Sequence, residues 1–136
     1  KISRYDLEGK KVLTVNEKYY CADHGLREAV FGKNTQNIDQ ILENIVCLEL
    51  LRRNFKVFVG KKDESEIDFI AERNGVKIYV QVAYLLASEE TVKREFSVYD
   101  SIKDNFPKYV VSMDEFDFSR NGIIHRNIRD FLLGEI

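Results

Sequence analysis

The dipeptide Asn74-Gly75 constrains the fold of this chain more than any other feature of its sequence. A type I′ turn needs positive φ at both central residues, and this pair tolerates that conformation. Runs rich in β-forming residues flank it, at residues 66–72 and 76–84. The sequence therefore predicts a tight hairpin of two strands.

The turn also fixes the register of the two strands. Counting outward from Asn74-Gly75 places Asp68 opposite Gln81 and Glu66 opposite Ala83. Because side chains alternate along a strand, we expect these four side chains to share one face. The other face is expected to carry four apolar side chains, those of Ile67, Phe69, Val80 and Val82.

An acidic pair and an amide on one strand face permit two interpretations. Carboxylate and amide oxygens suit Mg²⁺, which favours one or two carboxylates together with waters and substrate phosphate. The alternative is a solvated strand face, the commoner outcome of such spacing. Spacing alone leaves both interpretations open.

Helical and strand-like segments alternate around the hairpin. Apolar residues recur at helical period over residues 38–53, which predicts a largely buried helix. A strand is expected at 56–59, and a second long helix at 88–106, where Pro107 stops it. The remaining segments are a strand at 109–113, a loop at 114–122 and a helix or extended edge at 128–133. This order predicts an α/β fold with a mixed sheet flanked by helices.

The first part of the chain predicts a smaller structure. Two β-rich runs, 11–15 and 18–22, are separated by Asn16-Glu17 and are expected to form an N-terminal β-hairpin. Asp23 can then cap a short helix over residues 24–31, because its side-chain oxygen can accept the free backbone donors of the first turn.

The polar stretch at residues 33–37 is the best candidate for a boundary. We therefore divide the chain into an N-terminal hairpin and short helix, residues 1–37, and an α/β domain, residues 38–136. The sequence opens at Lys1 rather than at a methionine, which favours a position inside a longer polypeptide.

Charge and hydropathy limit the partners of the chain. Lys and Arg number 21 against 23 Asp and Glu, a formal charge of -2, so any nucleic-acid contact must rest on a local patch. The best local cluster is more often a solvated edge. It consists of Arg52, Arg53, Lys56, Lys61 and Lys62. No apolar stretch or leader points to a membrane, so we expect a cytoplasmic chain with no membrane partner.

At the hairpin the sequence resembles the restriction-endonuclease-like fold, the PD-(D/E)XK nuclease superfamily. The resemblance rests on three segments: Leu42-Glu43-Asn44, Glu66-Ile67-Asp68-Phe69-Ile70 and Ile78-Tyr79-Val80-Gln81-Val82-Ala83. In that superfamily a helix glutamate precedes a hairpin that carries an aspartate, a second acid and, two residues later, a lysine.

Nearly the whole chain also resembles the C-terminal domain of unknown function that follows the ATPase module in a family of prokaryotic AAA+ ATPases. The matching segments are Tyr19 to Leu26, Leu42 to Val46, Asp104 to Lys108 and Asp130 to Leu133. This resemblance implies an upstream ATPase portion of the same polypeptide as partner. ATP is expected only there, because no phosphate loop is present in this chain.

The superfamily resemblance implies roles for individual residues. Glu43 matches the helix glutamate and Asp68 the metal-binding aspartate, but Gln81 stands in place of the second acid and Ala83 in place of the lysine. In an active member the acids hold Mg²⁺ and the lysine orients the attacking water. Glu43, Asp68 and Gln81 are therefore expected to form a vestigial site in which Asp68 is the best metal ligand.

Other residues compete for these roles. Glu49 is roughly 120° from Glu43 around the first helix, so the two cannot face one site. We favour Glu43 for the site and expect Glu49 to be buried against an arginine. Lys77 is an unlikely substitute for the missing lysine. His125 is expected to lie at the surface rather than to bind a metal.

Three functions follow as hypotheses. The first is a nuclease-like module without hydrolytic activity that serves an AAA+ ATPase in DNA or partner recognition. The second is an active Mg²⁺-dependent nuclease with a lysine that has migrated from its usual place. The third is a protein-interaction module without nucleic-acid contact. No cofactor is expected in this chain unless the site is active, in which case it is Mg²⁺.

Overall fold

The computed structural model of the protein describes residues 1–23, 25, 38–62 and 65–134. Its strands are β1 (Ile2–Asp6), β2 (Lys11–Lys18), β3 (Lys56–Lys62), β4 (Ser65–Arg73), β5 (Val76–Val82), β6 (Lys108–Ser112) and β7 (Ile123–Asn127). Its helices are α1 (Ile38–Arg52), α2 (Glu89–Ser97) and α3 (Ile128–Leu133). The predicted α/β class, with a mixed sheet flanked by helices and an N-terminal hairpin, is confirmed.

The strands within this described part form one sheet in the order β2-β1-β3-β4-β5-β6-β7. The strands β3, β4 and β5 are antiparallel neighbours, whereas β6 and β7 continue the sheet in parallel with β5. The helix α2 lies in the crossover between β5 and β6, as a parallel connection requires. The carboxyl ends of β5 and β6 therefore meet at one edge of the sheet.

Two apolar cores lie on opposite sides of this sheet. On one side α1 and α3 pack through residues such as Val46, Leu50 and Phe131 onto the strands. On the other side α2 packs through Val92 and Phe96. The strands in the middle are thus buried on both faces, which agrees with their nearly continuous apolar sequence.

The N-terminal hairpin exists, but the predicted position of its turn is wrong. The strand β2 runs without interruption through Asn16-Glu17, and the reversal lies at residues 7–10, where Lys10 has φ 51°. The first strand, β1, pairs in parallel with β3, so this hairpin extends the main sheet. The predicted helix at 24–31 and the boundary at 33–37 fall outside the described residues, apart from Gly25.

The second helix is much shorter than predicted. It begins at the Ser88 cap, whose side chain accepts from Thr91 N at 3.1 Å, but it ends at Ser97 rather than at Pro107. The chain turns inward there because Tyr99 is buried and its hydroxyl donates to Tyr109 O at 2.6 Å. The apolar repeat beyond Ser97 is therefore not one helix face: Tyr99 is a core residue, Ile102 is partly buried and Phe106 is exposed.

The last part of the chain holds one strand that sequence reasoning missed. The strand β7 lies between the predicted loop at 114–122 and residues 128–133, which were left open as helix or edge and form the helix α3. None of the described helices is long and apolar enough to cross a membrane.

Candidate functional site

The Asn74-Gly75 turn forms as predicted. Asn74 has φ 52° and Gly75 has φ 79°, and Arg73 pairs with Val76 across the turn. The ladder continues in this register as far as the pair of Phe69 with Val80. The predicted register is thus confirmed up to this pair, and Asp68 and Gln81 follow it as neighbours that are joined through the Gln81 side chain.

An irregularity in β4 begins at the candidate site. Phe58 pairs with Ile70, but Gly60 pairs with Ile67, so Asp68 and Phe69 together oppose the single residue Val59. This arrangement is a β-bulge. Such bulges reorient a side chain and end the local backbone pairing, and they are common beside functional sites.

The predicted division of faces holds for Phe69, Val80 and Val82, which share one core, but the bulge makes it wrong for Ile67 and Glu66. Ile67 belongs to the core on the α2 side of the sheet, together with Ala83, whereas Phe69 belongs to the core on the α1 side. Glu66 accordingly lies toward α1, where it pairs with Lys18. Strict alternation failed because it assumes one residue of β4 for each residue of β3.

Asp68, Gln81 and Glu95 form a buried hydrogen-bonded group that we term the polar network. Asp68 N donates to Gln81 Oε1 at 3.1 Å, and Gln81 Nε2 donates to Glu95 Oε2 at 3.1 Å. Val82 N donates to Asp68 Oδ2 at 2.9 Å. The three residues are 7%, 9% and 6% exposed, respectively.

These contacts have a structural reason. A bulge deprives nearby backbone N–H groups of ladder partners, and a buried N–H without an acceptor costs about 1–3 kcal/mol. The Asp68 carboxyl group and the Gln81 amide accept from two such donors, those of Val82 and Asp68. Asp68 Oδ2 and the Gln81 amide are therefore engaged by the backbone and by Glu95.

The protonation state of Asp68 also bears on metal binding. Burial, reinforced by the charge of Glu43, raises the pKa of Asp68 to about 8, although the Val82 N–H bond and Lys18 oppose the shift. Without a bound ion the group is therefore mostly protonated at pH 7. A divalent cation would have to displace this proton, since it requires the deprotonated form.

Glu43 belongs to a second cluster, which also contains Lys18, a residue that sequence reasoning did not identify. Tyr20 OH donates to Glu43 Oε2 at 3.4 Å, and Lys18 Nζ lies 3.9 Å from the same oxygen. Lys18 also pairs with Glu66, which in turn pairs with Arg4. We call Lys18, Glu43 and Glu66 the Lys18 cluster.

The charges in the Lys18 cluster act on one another. Burial raises the pKa of Glu43, although Lys18 and the Tyr20 hydroxyl oppose it. Burial by itself would lower the pKa of Lys18, but Glu66 and Glu43 outweigh it, so the pKa of that ammonium is raised. Lys18 thus supplies a fixed positive charge close to Glu43 and near Asp68.

The position of Ala83 contains no amine. Its side chain packs in the core on the α2 side and is 5% exposed. Lys77 is directed to Glu72, at 3.3 Å, and so does not replace the missing lysine, as predicted. Among the described residues, no three His, Cys, Asp or Glu side chains are close enough together to hold a metal ion.

The choice between the two helix glutamates is settled by their contacts. Glu49 is 8% exposed and accepts from Arg52 Nε at 2.7 Å and from Arg53 Nε at 2.5 Å. These bonds, that from Arg52 first, lower the pKa of Glu49 despite its burial. The predicted buried pair with an arginine is confirmed, and of the two glutamates Glu43 is the one whose charge acts on Asp68.

The prediction that His125 lies at the surface is wrong. His125 is 5% exposed, and its Nε2 lies 2.9 Å from Ser112 Oγ, which donates to Asp114 Oδ2 at 2.7 Å. The other ring nitrogen, Nδ1, accepts from Phe118 N at 3.3 Å. Since Nδ1 is the acceptor, Nε2 carries the proton of the neutral ring and is no base toward Ser112. The three residues are therefore not a hydrolytic triad.

Comparison with known proteins adds one relative. The chain is 44% identical over 112 residues to a protein of Haemophilus influenzae that is described only as uncharacterized. The alignment covers 82% of this chain and 27% of that protein, so the chain spans about a quarter of the length of its relative. No family model matches the chain. No solved structure matches it either.

Proposed function

We propose that this chain is a nuclease-like α/β module that lacks hydrolytic activity and serves a prokaryotic AAA+ ATPase in DNA or partner recognition. The observation that carries the proposal is the closed polar network. Asp68 and Gln81 accept from backbone N–H groups, and Gln81 donates to Glu95, in a buried place. A site that is to hold Mg²⁺ and a phosphate needs deprotonated, accessible oxygens instead.

The arrangement of the elements supports the nuclease-like part of the proposal. A helix that carries Glu43 precedes the hairpin that carries Asp68 and Gln81, and a second helix and a parallel strand follow. The charge of Glu43 acts on Asp68, as expected for two members of one ancestral site. The loss of the acid at Gln81 and of the amine at Ala83 supports the absence of hydrolysis.

The ATPase context is supported by sequence resemblance and by the length of the relative. The Haemophilus protein extends far beyond the 27% of it that aligns with this chain. In this proposal an upstream ATPase portion of the same polypeptide binds ATP, and the module acts in the cytoplasm. Mg²⁺ enters only with the nucleotide of that portion.

Incubation of the chain with single- and double-stranded DNA and Mg²⁺ or Mn²⁺ tests the proposal. We expect no cleavage above that of an Asp68→Ala variant purified in the same way. Cleavage that depends on the divalent ion and disappears in Asp68→Ala would overturn it. A contaminating nuclease would cleave equally in both preparations.

Lys18 favours a second candidate, the active Mg²⁺-dependent nuclease. Its ammonium pairs with Glu66 and lies 3.9 Å from Glu43, where an amine that has migrated from the position of Ala83 could offset charge on a phosphate. This candidate predicts cleavage by the wild-type chain that is lost in Lys18→Met. If the Lys18→Gln variant cleaved DNA at the wild-type rate, the amine of Lys18 would have no such role.

The third hypothesis, a protein-interaction module, differs from DNA recognition in how binding should respond to salt. Binding to phosphates weakens steeply as salt rises, because counterions are released from the nucleic acid. Absent DNA binding, together with co-purification of the module with the ATPase portion, would favour the interaction module over DNA recognition.

A further inference from the structure

Two adjoining depressions lie on the surface away from the polar network. The first has a volume of about 450 Å³, and its lining includes Lys10, Lys62, Lys77 and Lys103. The second has a volume of about 440 Å³ and lies at the Asn74-Gly75 turn, where its lining includes Lys56, Arg73 and Lys77. Both depressions are lined by Lys77 and Phe106, so they adjoin at these two side chains, and we term the pair the basic track.

The basic track concentrates positive charge in a chain that is slightly acidic. Among the residues that the structure describes, six cationic side chains line it against two acidic ones, Asp104 and Glu72. Asp104 is already occupied, since it accepts from Tyr79 OH at 2.5 Å and from Lys108 Nζ at 3.3 Å. Glu72 pairs with Lys77 at 3.3 Å.

Several of these cations have no acidic partner within the part of the chain that the structure describes. Among the described residues, no ion pair is formed by Lys10, Lys56, Lys62 or Lys103. Lys62 is held in place by Ser101 O, to which its Nζ donates at 3.1 Å, and Lys10 and Lys103 are exposed. Like charges that are close together repel one another, so such a set gains by binding an anion.

Aromatic rings lie between the cations. The ammonium of Lys77 lies 5.3 Å from the centre of the Tyr5 ring and 5.9 Å from that of Phe106. Phe106 is 38% exposed and lies where the two depressions meet. Cations in series beside an accessible ring are the combination with which proteins bind unpaired strands, in which each phosphate meets a cation and a base stacks on the ring.

The size of the track selects among nucleic acids. Each depression lies in the range of volumes that accept a ligand the size of one nucleotide. An unpaired strand, whose bases are free to stack on Phe106, can place one nucleotide in each depression. Lysine ammonium groups act as point charges toward phosphate and need no fixed partner geometry, which suits an extended strand.

We propose that the basic track, from Lys10 and Lys103 across Lys77 and Phe106 to Lys56, binds the backbone of single-stranded DNA. The inference deepens the proposed function, on which it rests for the choice of DNA as the ligand. The basic track itself, its charge and its exposed ring stand independently of that function. It shares no lining residue with the polar network.

Binding of a fluorescent oligothymidylate of about 12 nucleotides, followed by anisotropy over a range of salt concentrations, tests the inference. The variant is the whole chain with Lys10→Gln and Lys103→Gln, two exposed side chains outside every described ion pair. The matched control is Lys11→Gln with Lys93→Gln, which removes the same charge from exposed lysines outside the track.

We expect the track variant to reduce the slope of log K against log salt by about 1.4, since each phosphate contact to a single strand contributes about 0.7. At about 0.1 M salt this corresponds to an affinity about 25-fold lower, whereas the control should stay within about twofold of wild type. Equal loss in both variants would show attraction by net charge alone and would overturn the track.

Two other results would also overturn it. One is no binding of the oligonucleotide by the wild-type chain at low salt. The other is stronger binding of an oligoglutamate peptide than of the oligonucleotide, which would make the track a site for acidic protein segments. The cleavage assay tests the proposed function separately. Cleavage that depends on Asp68 would overturn the proposed function but not the basic track. Equal binding by the track variant and the control variant would overturn the basic track but not the proposed function.

Discussion

Replacing Asp68 by asparagine should make the stability of the protein less dependent on pH. The amide keeps the shape of the side chain and an oxygen for Val82 N, which donates to Asp68 Oδ2 at 2.9 Å. It removes the proton that the buried carboxyl group holds in the native state. The substitution therefore isolates the cost of a charge at this place from the loss of a contact.

The sign of the effect follows from the raised pKa. Between the ordinary value near 3.8 and the native value of about 8, the native protein binds a proton at Asp68 that the unfolded chain has released. Stability from this group is complete below about pH 4 and is lost as pH rises toward 8. The loss is at most about 1.4 kcal/mol for each pH unit. From pH 5 to pH 7 the wild type should thus lose up to about 2.7 kcal/mol relative to Asp68→Asn.

Urea unfolding at pH 5, 6, 7 and 8, followed by circular dichroism, measures this difference. Because both proteins share every other titrating group, the free energy of Asp68→Asn minus that of wild type should rise with pH. The control is Asp39→Asn, an exposed aspartate that also accepts a backbone N–H, from Tyr84 at 2.8 Å. A difference for Asp68→Asn that rises with pH no more than the difference for Asp39→Asn would refute the account of a neutral, buried Asp68.

Three further substitutions test the fold by urea unfolding. Leu50 is fully buried, so Leu50→Ala should lower the free energy of unfolding by about 2–5 kcal/mol. Leu51 is 43% exposed, so Leu51→Ala should change it by less than about 0.5 kcal/mol. Equal losses would contradict the placement of α1. Gly75→Ala has open space around the added methyl group but φ +79°, so a loss of about 1–2 kcal/mol is expected, and no loss would contradict the turn. Arg53→Met removes the hydrogen-bond donors of Phe131 O and Glu49, so the free energy of unfolding should fall by about 2–4 kcal/mol and proteolysis at α3 should become faster. An unchanged urea midpoint would be inconsistent with these bonds between α1 and α3.

The parts of the fold that depend on neighbours in sequence were predictable. The turn at Asn74-Gly75 needs only its own backbone conformation, and the register of Asp68 with Gln81 follows by counting. The buried helix predicted at 38–53 is observed as Ile38–Arg52, because its apolar period is long and regular.

Features that depend on residues distant in sequence were missed. The pairing of β1 with β3 joins segments separated by the whole of α1, and it is this pairing that carries β2 and Lys18 toward Glu43. The apolar period beyond Ser97 indicated a helix because a buried turn can repeat apolar residues at a similar spacing. Local sequence patterns carry no information on strand pairing between distant segments or on burial in a turn.

The candidate site was predictable in its members but not in its chemistry. The bulge at Asp68 has one signal in the sequence, Gly60 within β3, at which the pairing of β3 with β4 shifts, but a glycine alone does not say which residues of β4 are displaced. The bulge turns the Asp68 carboxyl group and the Gln81 amide into acceptors for backbone donors. Glu95, which completes the network, comes from the second helix and had no motif to indicate it.

Titration of the wild-type chain with Mn²⁺, followed by electron paramagnetic resonance of the free ion, tests the closed polar network most directly. Asp68 and Gln81 are committed to the backbone and to Glu95, so wild type and Asp68→Asn should bind Mn²⁺ equally weakly at pH 7. Tight binding of one ion by wild type that is lost in Asp68→Asn would contradict the account and make the site an open metal centre.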